Sequence, residues 1–235
     1  VDVIINAGGL GTRLLPHTLK THKTLLKINN KQILAFILDN FYKQGFKEFN
    51  MILNHKSEQI VKFIKKKKKS YKFNFVKEKK PLGTCGGVSM FEKNKLNNNF
   101  IFINCDVISG IDFNSLLSFH KNNGSDLTIV TSNKKIKLKY GSIKNIGFNM
   151  LSMKEKPEIS FMVNAGIYVM KKNILDFIKK NKRFDIPQLI NSLKKRKRKI
   201  KIYPTNEYWF DIGSKEDFIE FKKFNNDNKK IFKII

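Results

Sequence analysis

A glycine-rich turn near the start of the chain carries the first residues whose types could do chemistry. Asn6 is followed by Ala7-Gly8-Gly9-Leu10-Gly11-Thr12-Arg13, and Lys23 lies ten residues beyond the arginine. Glycines let a backbone approach a ligand closely and aim its N–H groups at phosphate oxygens. Arg13 and Lys23 would supply the positive charge that a polyphosphate needs. The pattern predicts a phosphate-binding loop, although it has neither P-loop nor dinucleotide-fingerprint spacing.

Two aspartates far apart in the sequence form the second chemical group. Asp106 follows the apolar run Phe100–Ile103, and Asp211 follows Trp209-Phe210. A hard cation such as Mg²⁺ prefers carboxylate oxygens together with substrate phosphates. Each aspartate could also be an ordinary cap or turn residue. The sequence nevertheless makes Asp106 and Asp211 the best pair to hold a metal ion.

The first half of the chain alternates between strand and helix patterns, which must position these groups. Apolar residues spaced three and four positions apart predict a helix over Ile33–Phe46, and Ser57 is the expected N-cap of a shorter helix that follows. Such alternation predicts a parallel sheet with helices on both faces. The predicted strands are Asp2–Asn6, Phe49–Leu53, Phe73–Val76 and Phe100–Asn104, and the predicted helices are Ile33–Phe46 and Ser57–Lys66.

The second half is richer in strands, and no linker or internal repeat divides it from the first. We expect one domain over residues 1–224 and a polar, basic tail over 225–235. A closing helix is expected from Ser214. The other predicted strands are Asp126–Thr131, Tyr140–Lys144, Phe161–Met170 and Lys199–Tyr203, and the other predicted helices are Ile174–Lys180 and Pro187–Lys194.

The composition and charge of the chain indicate its expected cellular setting and the partners that it could bind. The chain of 235 residues has only two cysteines, no secretory signal and no apolar run of membrane-spanning length, so a reduced, cytoplasmic setting without a membrane is expected. The net charge of +28 suggests a nucleic-acid partner. Lysine-rich stretches such as Lys65–Lys69 and Lys194–Lys201 are better explained as solvated surface, because the chain is equally rich in other residues with A/T-rich codons.

The order of several motifs resembles that of the sugar-phosphate nucleotidyltransferases. The glycine-rich stretch from Asn6 to Pro16, with Thr18 and Lys23, is similar to the signature of that family. The resemblance runs from Val3 to about Phe221 and is greatest to the mannose-1-phosphate guanylyltransferase branch. It implies a Rossmann-like three-layer α/β/α sandwich with a mostly parallel mixed sheet. The further motifs are Pro81-Leu82-Gly83-Thr84, Asn104-Cys105-Asp106, Glu155-Lys156-Pro157, Val163-Asn164-Ala165-Gly166 and Trp209-Phe210-Asp211-Ile212-Gly213.

The resemblance also implies a reaction and a set of site residues. An NTP, with GTP first, would condense with a sugar 1-phosphate to give an NDP-sugar and pyrophosphate, assisted by Mg²⁺ on Asp106 and Asp211. The residues expected to take part in catalysis are Arg13, Lys23, Asp106, Lys156 and Asp211. The nucleotide would contact Ala7, Gly8, Gly9, Gly11, Thr12, Arg13, Pro81, Leu82, Gly83 and Thr84. The sugar phosphate would contact Gly141, Glu155, Lys156, Asn164 and Gly166.

Three positions depart from the family signature, and several alternatives stay open. His22 and Thr24 stand where the signature usually has prolines around the lysine, which predicts a less rigid loop, and Cys105 replaces the more usual glycine. The nucleotide could instead be UTP, CTP or dTTP. The chain could be a non-catalytic regulatory or scaffold homologue, or a basic nucleic-acid-binding protein. A homo-oligomer is possible, although no motif supports one.

Overall fold

The computed structural model describes residues 1–66 and 71–232. The strands within these ranges form one large sheet and several small ones. They are β1 (Asp2–Ala7), β2 (Lys27–Ile28), β3 (Lys31–Gln32), β4 (Glu48–Leu53), β5 (Lys72–Lys77), β6 (Asn99–Asn104), β7 (Val107–Ser109), β8 (Leu127–Lys137), β9 (Ser142–Ile146), β10 (Asn149–Lys154), β11 (Glu158–Lys171), β12 (Ile200–Thr205) and β13 (Trp209–Asp211).

Most of the described helices lie between these strands along the chain, and the last two follow the final strand. They are α1 (Ile33–Lys43), α2 (Ser57–Lys65), α3 (Phe113–Asn122), α4 (Ile186–Lys195), α5 (Lys215–Asp227) and α6 (Lys229–Phe232). Short 3₁₀ turns add further connections, and two of them carry predicted site residues. These two turns are Thr12–Leu14 and Lys23–Leu25.

The central sheet has seven strands in the order β12-β8-β11-β6-β1-β4-β5. Its pairs are parallel except for those of β11, which runs antiparallel to both β6 and β8. Because β1 and β6 are parallel neighbours, their carboxyl ends meet at the same edge of the sheet. The glycine loop after β1 and Asp106 after β6 are therefore adjacent, which neither segment could specify alone.

Both faces of the sheet are covered by apolar side chains, and alternate residues of β1 serve opposite faces. Val3 and Ile5 belong to a core that includes residues of α1, α2 and α3. Ile4 belongs to the other core, with Leu189 of α4 and Phe102 of β6. Helices thus flank the sheet on both sides, and the predicted three-layer, mostly parallel fold is confirmed.

The predicted elements agree with the structure most closely where they form the buried sheet. The strands predicted at 2–6, 49–53 and 100–104 and the helix from Ser214 are confirmed. Ser57 is not the N-cap of α2, because Lys56 precedes the helix in a left-handed conformation and Ser57 is its buried first residue. The segment at 174–180 forms a 3₁₀ turn, Lys172–Phe177, instead of an α-helix. No prediction anticipated α3.

The C-terminal part of the described chain packs against the domain. Phe232 of α6 makes edge-to-face contacts with Phe36 of α1 and Phe221 of α5, at centroid distances of 5.4 and 5.5 Å. Residues 233–235 of the predicted tail and residues 67–69 of the lysine run lie outside the described residues, and the domain boundary at 224 stays a prediction. None of the described helices combines the length and the apolar character needed to cross a membrane.

Candidate active site

The glycine loop leaves β1 with its backbone pressed against the side chain of Lys23. Gly11 has φ of 68°, a left-handed conformation that favours glycine. A Cβ placed on Gly9 would lie 3.3 Å from the ammonium nitrogen of Lys23, and one on Gly11 would lie 3.1 Å from the Cβ of Lys23. Thr18 ties the loop together by donating a hydrogen bond to the Gly11 carbonyl at 2.8 Å. A side chain at Gly9 or Gly11 would therefore crowd Lys23, and at Gly11 the left-handed backbone would add strain.

Lys23 forms an ion pair with Asp106 just beyond the end of β6. The Nζ–Oδ2 distance is 2.5 Å, and the two side chains are only 15 % and 9 % exposed. Burial lowers the pKa of Lys23, but the neighbouring Cys105, Asp106 and Asp211 raise it by more, so the net shift is upward. The ammonium therefore stays charged at physiological pH, although most of it is shielded from water.

Asp211 is brought beside Asp106 by a short antiparallel ladder between β7 and β13. Asp211 pairs with Val107 in this ladder, and the Ile212 N–H donates a hydrogen bond to the Asp106 carbonyl at 2.9 Å. Burial and the charge of Asp106 raise the pKa of Asp211 to about 6, against the opposing effect of Lys23 and of Arg13. Ionisation of both neighbouring carboxyl groups at once is unfavourable, so the site favours an additional positive charge.

Arg13 completes this charged group from the other side. A Cβ placed on Gly213 would lie 2.7 Å from Nη2 of Arg13, so the guanidinium rests against the backbone that follows Asp211. The four charged side chains of Arg13, Lys23, Asp106 and Asp211 thus come from three distant segments and meet at one edge of the sheet. Cations and carboxylates in this arrangement can bind phosphate directly and through a shared metal ion.

The two acidic side chains fit Mg²⁺ by their chemistry. Carboxylate oxygens are the ligands that this ion prefers, and the pKa of Asp211, raised by burial and by the charge of Asp106, reflects a cost of ionisation that a dication would offset. Across residues 1–66 and 71–232, no group of three or more His, Cys, Asp and Glu side chains could hold a metal ion. The remaining ligands at such a site would therefore be phosphate oxygens and water.

The predicted nucleotide-binding segment Pro81-Leu82-Gly83-Thr84 is anchored to the start of α4. The Thr84 N–H donates to Oδ1 of Asp185 at 2.7 Å, and the Ile186 N–H donates to the Thr84 hydroxyl at 2.9 Å. Gly83 has φ of 82°, and a Cβ on it would lie 2.6 Å from Asp185. Asn6 donates to the Thr84 carbonyl at 3.2 Å, which joins this loop to the end of β1.

Glu78 lies between the two glycine-containing loops, and the sequence analysis did not identify it. Its carboxylate would be 2.8 Å from a Cβ on Gly8 and 2.6 Å from a Cβ on Gly87, so both glycines make room for it. The side chain is buried and its Oε1 has no hydrogen-bond partner in the described part of the chain. Burial raises the pKa of Glu78, opposed by hydrogen bonds from Leu82 and Asn54.

His22 and Thr24, the two departures from the family signature, hydrogen-bond to each other around Lys23. The Thr24 N–H donates to Nδ1 of His22 at 3.2 Å, and the Thr24 hydroxyl lies 2.9 Å from the same nitrogen. Both side chains are buried, and the His22 N–H donates to Gln59 of α2 at 2.9 Å. The loop predicted to be less rigid is therefore held by a side-chain cap.

A profile of the nucleotidyl transferase family matches residues 2–228. This chain belongs to that family. The match covers nearly the whole chain, so the resemblance to sugar-phosphate nucleotidyltransferases drawn from the motifs is confirmed.

Sequence comparison with individual relatives supports the same family. The chain is 31 % identical over 229 residues to mannose-1-phosphate guanyltransferase 2 of Candida glabrata, with 92 % of this chain and 62 % of the relative covered. It is also 31 % identical over 223 residues to the mannose-1-phosphate guanylyltransferase catalytic subunit beta of Drosophila melanogaster, covering 92 % of this chain and 60 % of the relative. The chain thus spans about three-fifths of the length of these curated relatives.

A solved structure has the same fold over almost the full length of this chain. HddC from Yersinia pseudotuberculosis, in complex with GMP-PN, is 28 % identical and has a TM-score of 0.74, covering 95 % of this chain and 98 % of that one. A glucose-1-phosphate thymidylyltransferase-like structure from Bacillus anthracis is 18 % identical and has a TM-score of 0.76, covering 96 % of this chain and 95 % of that one, which supports the fold alone.

The residues predicted to bind the sugar phosphate fall into two groups in the structure. Asn164 and Gly166 lie beside the end of β6, since a Cβ on Gly166 would be 2.8 Å from Asn104, and the Trp209 indole donates to the Ala165 carbonyl at 2.8 Å. These contacts join the Asn164 segment to the strand that carries Asp211. The Asn164 amide also donates to the Tyr168 hydroxyl at 2.5 Å.

Glu155 and Lys156 form the second group, at the base of the β9–β10 hairpin. A Cβ on Gly141 would lie 3.0 Å from Oε2 of Glu155, so these two predicted residues are neighbours. Lys156 is exposed and has φ of 42°. No hydrogen bond or ion pair among the described residues joins Glu155 or Lys156 to the two aspartates. Their role in binding stays a prediction.

Proposed function

We propose that this chain transfers a nucleotidyl group from GTP to a sugar 1-phosphate, which yields a GDP-sugar and pyrophosphate. The observation that carries the proposal is the meeting of Arg13 and Lys23 with Asp106 and Asp211 beside the glycine loop. Membership of the nucleotidyl transferase family supports the reaction class. Mannose 1-phosphate is the first sugar phosphate to test, because the relatives are named for it.

The reaction in this proposal is an in-line displacement at the α-phosphorus. A phosphate oxygen of the sugar 1-phosphate forms the new P–O bond while the bond to the β-phosphate breaks, and pyrophosphate leaves with the electron pair. The attacking oxygen is already anionic, so no general base is needed. The task of the protein is to align the two groups and to screen their repulsion.

Each charged side chain has a separate task in this mechanism. Arg13 and the loop N–H groups of Gly8–Gly11 hold the triphosphate, and Lys23 stabilises the charge that develops at the α-phosphate. Asp106 and Asp211 would hold Mg²⁺, which would supply Lewis-acid stabilisation to the phosphate oxygens. Asp106 also fixes the position of Lys23 through their ion pair.

The preference for GTP is supported by the chemistry of Glu78 as well as by the names of the relatives. A guanine ring presents two neighbouring donors, N1–H and the 2-amino group, on its Watson–Crick edge. A carboxylate offers only acceptors, and Oε2 of Glu78 faces the glycine loop, where a Cβ on Gly8 would lie 2.8 Å from it. Such a group matches guanine better than uracil or thymine, each of which places one donor between two acceptors.

Pyrophosphate release tests the proposal directly. The purified protein is incubated with Mg²⁺, each of GTP, UTP, CTP and dTTP, and a panel of sugar 1-phosphates that includes mannose 1-phosphate. We expect release that requires both substrates and is fastest with GTP. Absence of release with every pair at high protein concentration would eliminate the catalytic proposal, and faster release with another nucleotide would overturn the choice of GTP.

A further inference from the structure

The β9–β10 hairpin projects a set of large apolar side chains into solvent. Phe148, in the turn, is exposed at 109 % of its reference area, and the others are exposed by 59 to 70 %. Soluble monomers rarely expose a contiguous apolar patch of several hundred Å², and such patches mark interaction surfaces. The six side chains are Ile143, Ile146, Phe148, Met150, Leu151 and Met153.

The same hairpin is unusually poor in charge. Residues 145–153 contain no charged side chain, whereas charged residues make up 28 % of the whole chain. The net charge is +28, so most surfaces of this protein would repel another copy of it. The hairpin is a segment where two copies can approach with little electrostatic cost.

The backbone of the hairpin is also open to a partner. Strands β9 and β10 form a two-stranded sheet of their own, so in the described residues each strand has one edge without a neighbouring strand. A two-stranded hairpin is only marginally stable by itself. Unpaired strand edges readily accept another strand, and an additional strand would satisfy their N–H and C=O groups.

We propose that this chain forms a homodimer in which the β9–β10 hairpins of two protomers pack against each other. A two-fold axis through the contact makes each hairpin its own complement and closes the assembly at two copies. Six apolar side chains exposed to this degree present several hundred Å² of surface in total. A standard interface takes about 800 Å² from each partner. Because the apolar side chains are divided between the two faces of the hairpin, a stable dimer would bury part of them together with the open strand edges.

A second protomer fits this hairpin better than a lipid bilayer does. Apolar residues occur at both strand faces and in the turn, since Ile143 and Met153 are cross-strand partners on one face while Ile146 points to the other. Open strand edges cannot be satisfied within hydrocarbon, because lipid tails form no hydrogen bonds. The salt dependence of binding distinguishes a second protomer from a bilayer. Screening by salt strengthens association of two cationic protomers and weakens the attraction of the protein to anionic lipid.

Sedimentation velocity over a wide range of protein concentration, at low and high salt, tests the dimer. We expect the wild type to approach twice the monomer mass of 27.4 kDa, with tighter association at high salt. Phe148→Asp and Leu151→Asp should each weaken association at least tenfold. Ile219→Asp is the matched control, because Ile219 is 67 % exposed on α5 and should leave the mass unchanged.

A monomeric wild type at every concentration would overturn the proposal, as would a dimer unaffected by either hairpin variant. Circular dichroism of the variants checks that the fold is intact, which we expect because both side chains are exposed. Sedimentation with anionic vesicles is measured in parallel, and salt-sensitive binding to vesicles by a monomeric wild type would identify a membrane as the partner instead. The mass does not depend on catalysis, so this test is independent of the proposed reaction.

Discussion

The ammonium nitrogen of Lys23 lies 2.5 Å from Oδ2 of Asp106, in a pair that is largely shielded from solvent. A buried charge is costly unless it is paired, so the ion pair offsets much of the cost of burying these two side chains. In the proposed reaction the same aspartate serves a metal ion and the same lysine serves the α-phosphate. One ion pair therefore links the fold of the site to its chemistry.

Replacement of Asp106 tests this link. Asp106→Asn removes a metal-binding carboxylate and the charge partner of Lys23, and we expect kcat for pyrophosphate release to fall by about 10²–10³. Asp176→Asn is the control, since its carboxylate pairs with Lys93 at the surface. If Asp106→Asn retained most of the wild-type turnover while the control behaved normally, Asp106 would have no catalytic role.

Asp211 should reduce the stability of the metal-free protein at neutral pH. Its folded-state pKa of about 6 is above the ordinary value of 3.8, so ionising it costs folding free energy. The destabilisation is absent below the ordinary pKa, grows as pH rises, and is complete above about pH 6. We expect Asp211→Asn to raise the unfolding free energy at pH 7 by roughly 1–2 kcal/mol, and to bring little change near pH 3.5.

The same variant tests the metal site without an activity assay. Mg²⁺ that binds only the folded protein raises its melting temperature. We therefore expect added Mg²⁺ to raise the Tm of the wild type and to have a much smaller effect on Asp211→Asn. Equal responses to Mg²⁺ in both proteins would show that the ion binds elsewhere.

Glu78→Gln should change the choice of nucleotide. A glutamine amide offers one donor and one acceptor, which suits the edge of uracil or thymine better than that of guanine. We expect the ratio of kcat/KM for GTP over UTP to fall by about 10- to 100-fold, in line with the 1–3 kcal/mol that a bidentate base contact contributes. Glu92→Gln is a suitable control, because Glu92 is exposed and pairs with Lys95. An unchanged ratio would remove Glu78 from base recognition.

His22 should act on activity by positioning Lys23. His22→Ala removes the acceptor that caps the Lys23–Leu25 turn, and we expect kcat to fall by about tenfold because a small misplacement of a catalytic group is costly. His22→Asn keeps a side-chain acceptor for the Thr24 N–H and should retain more activity. Burial and the nearby Lys23 lower the pKa of His22 to about 4, so its cap should persist from pH 5 to 8. Equal losses in both variants would indicate a packing role only.

Local sequence patterns were sufficient for the parts of the fold that depend on neighbouring residues. The apolar run of β1, the glycines after it, and the three-to-four spacing of α1 each reflect interactions within a few positions. Motif order along the chain then identified the family, including Lys23, Asp106 and Asp211 as site candidates. The strand, the loop and the helix are determined by local sequence because backbone conformation and amphipathic burial are set over one or two turns.

The tertiary structure decided which of these residues meet. Asp211 reaches Asp106 only through the β7–β13 ladder, and Glu78 is placed between Gly8 and Gly87 by the parallel pairing of β4 with β5 and of β1 with β4. The exposure of Phe148 likewise depends on whether other strands cover its hairpin. Such contacts join residues tens to a hundred positions apart, and their free energy comes from pairing and burial that no local pattern encodes.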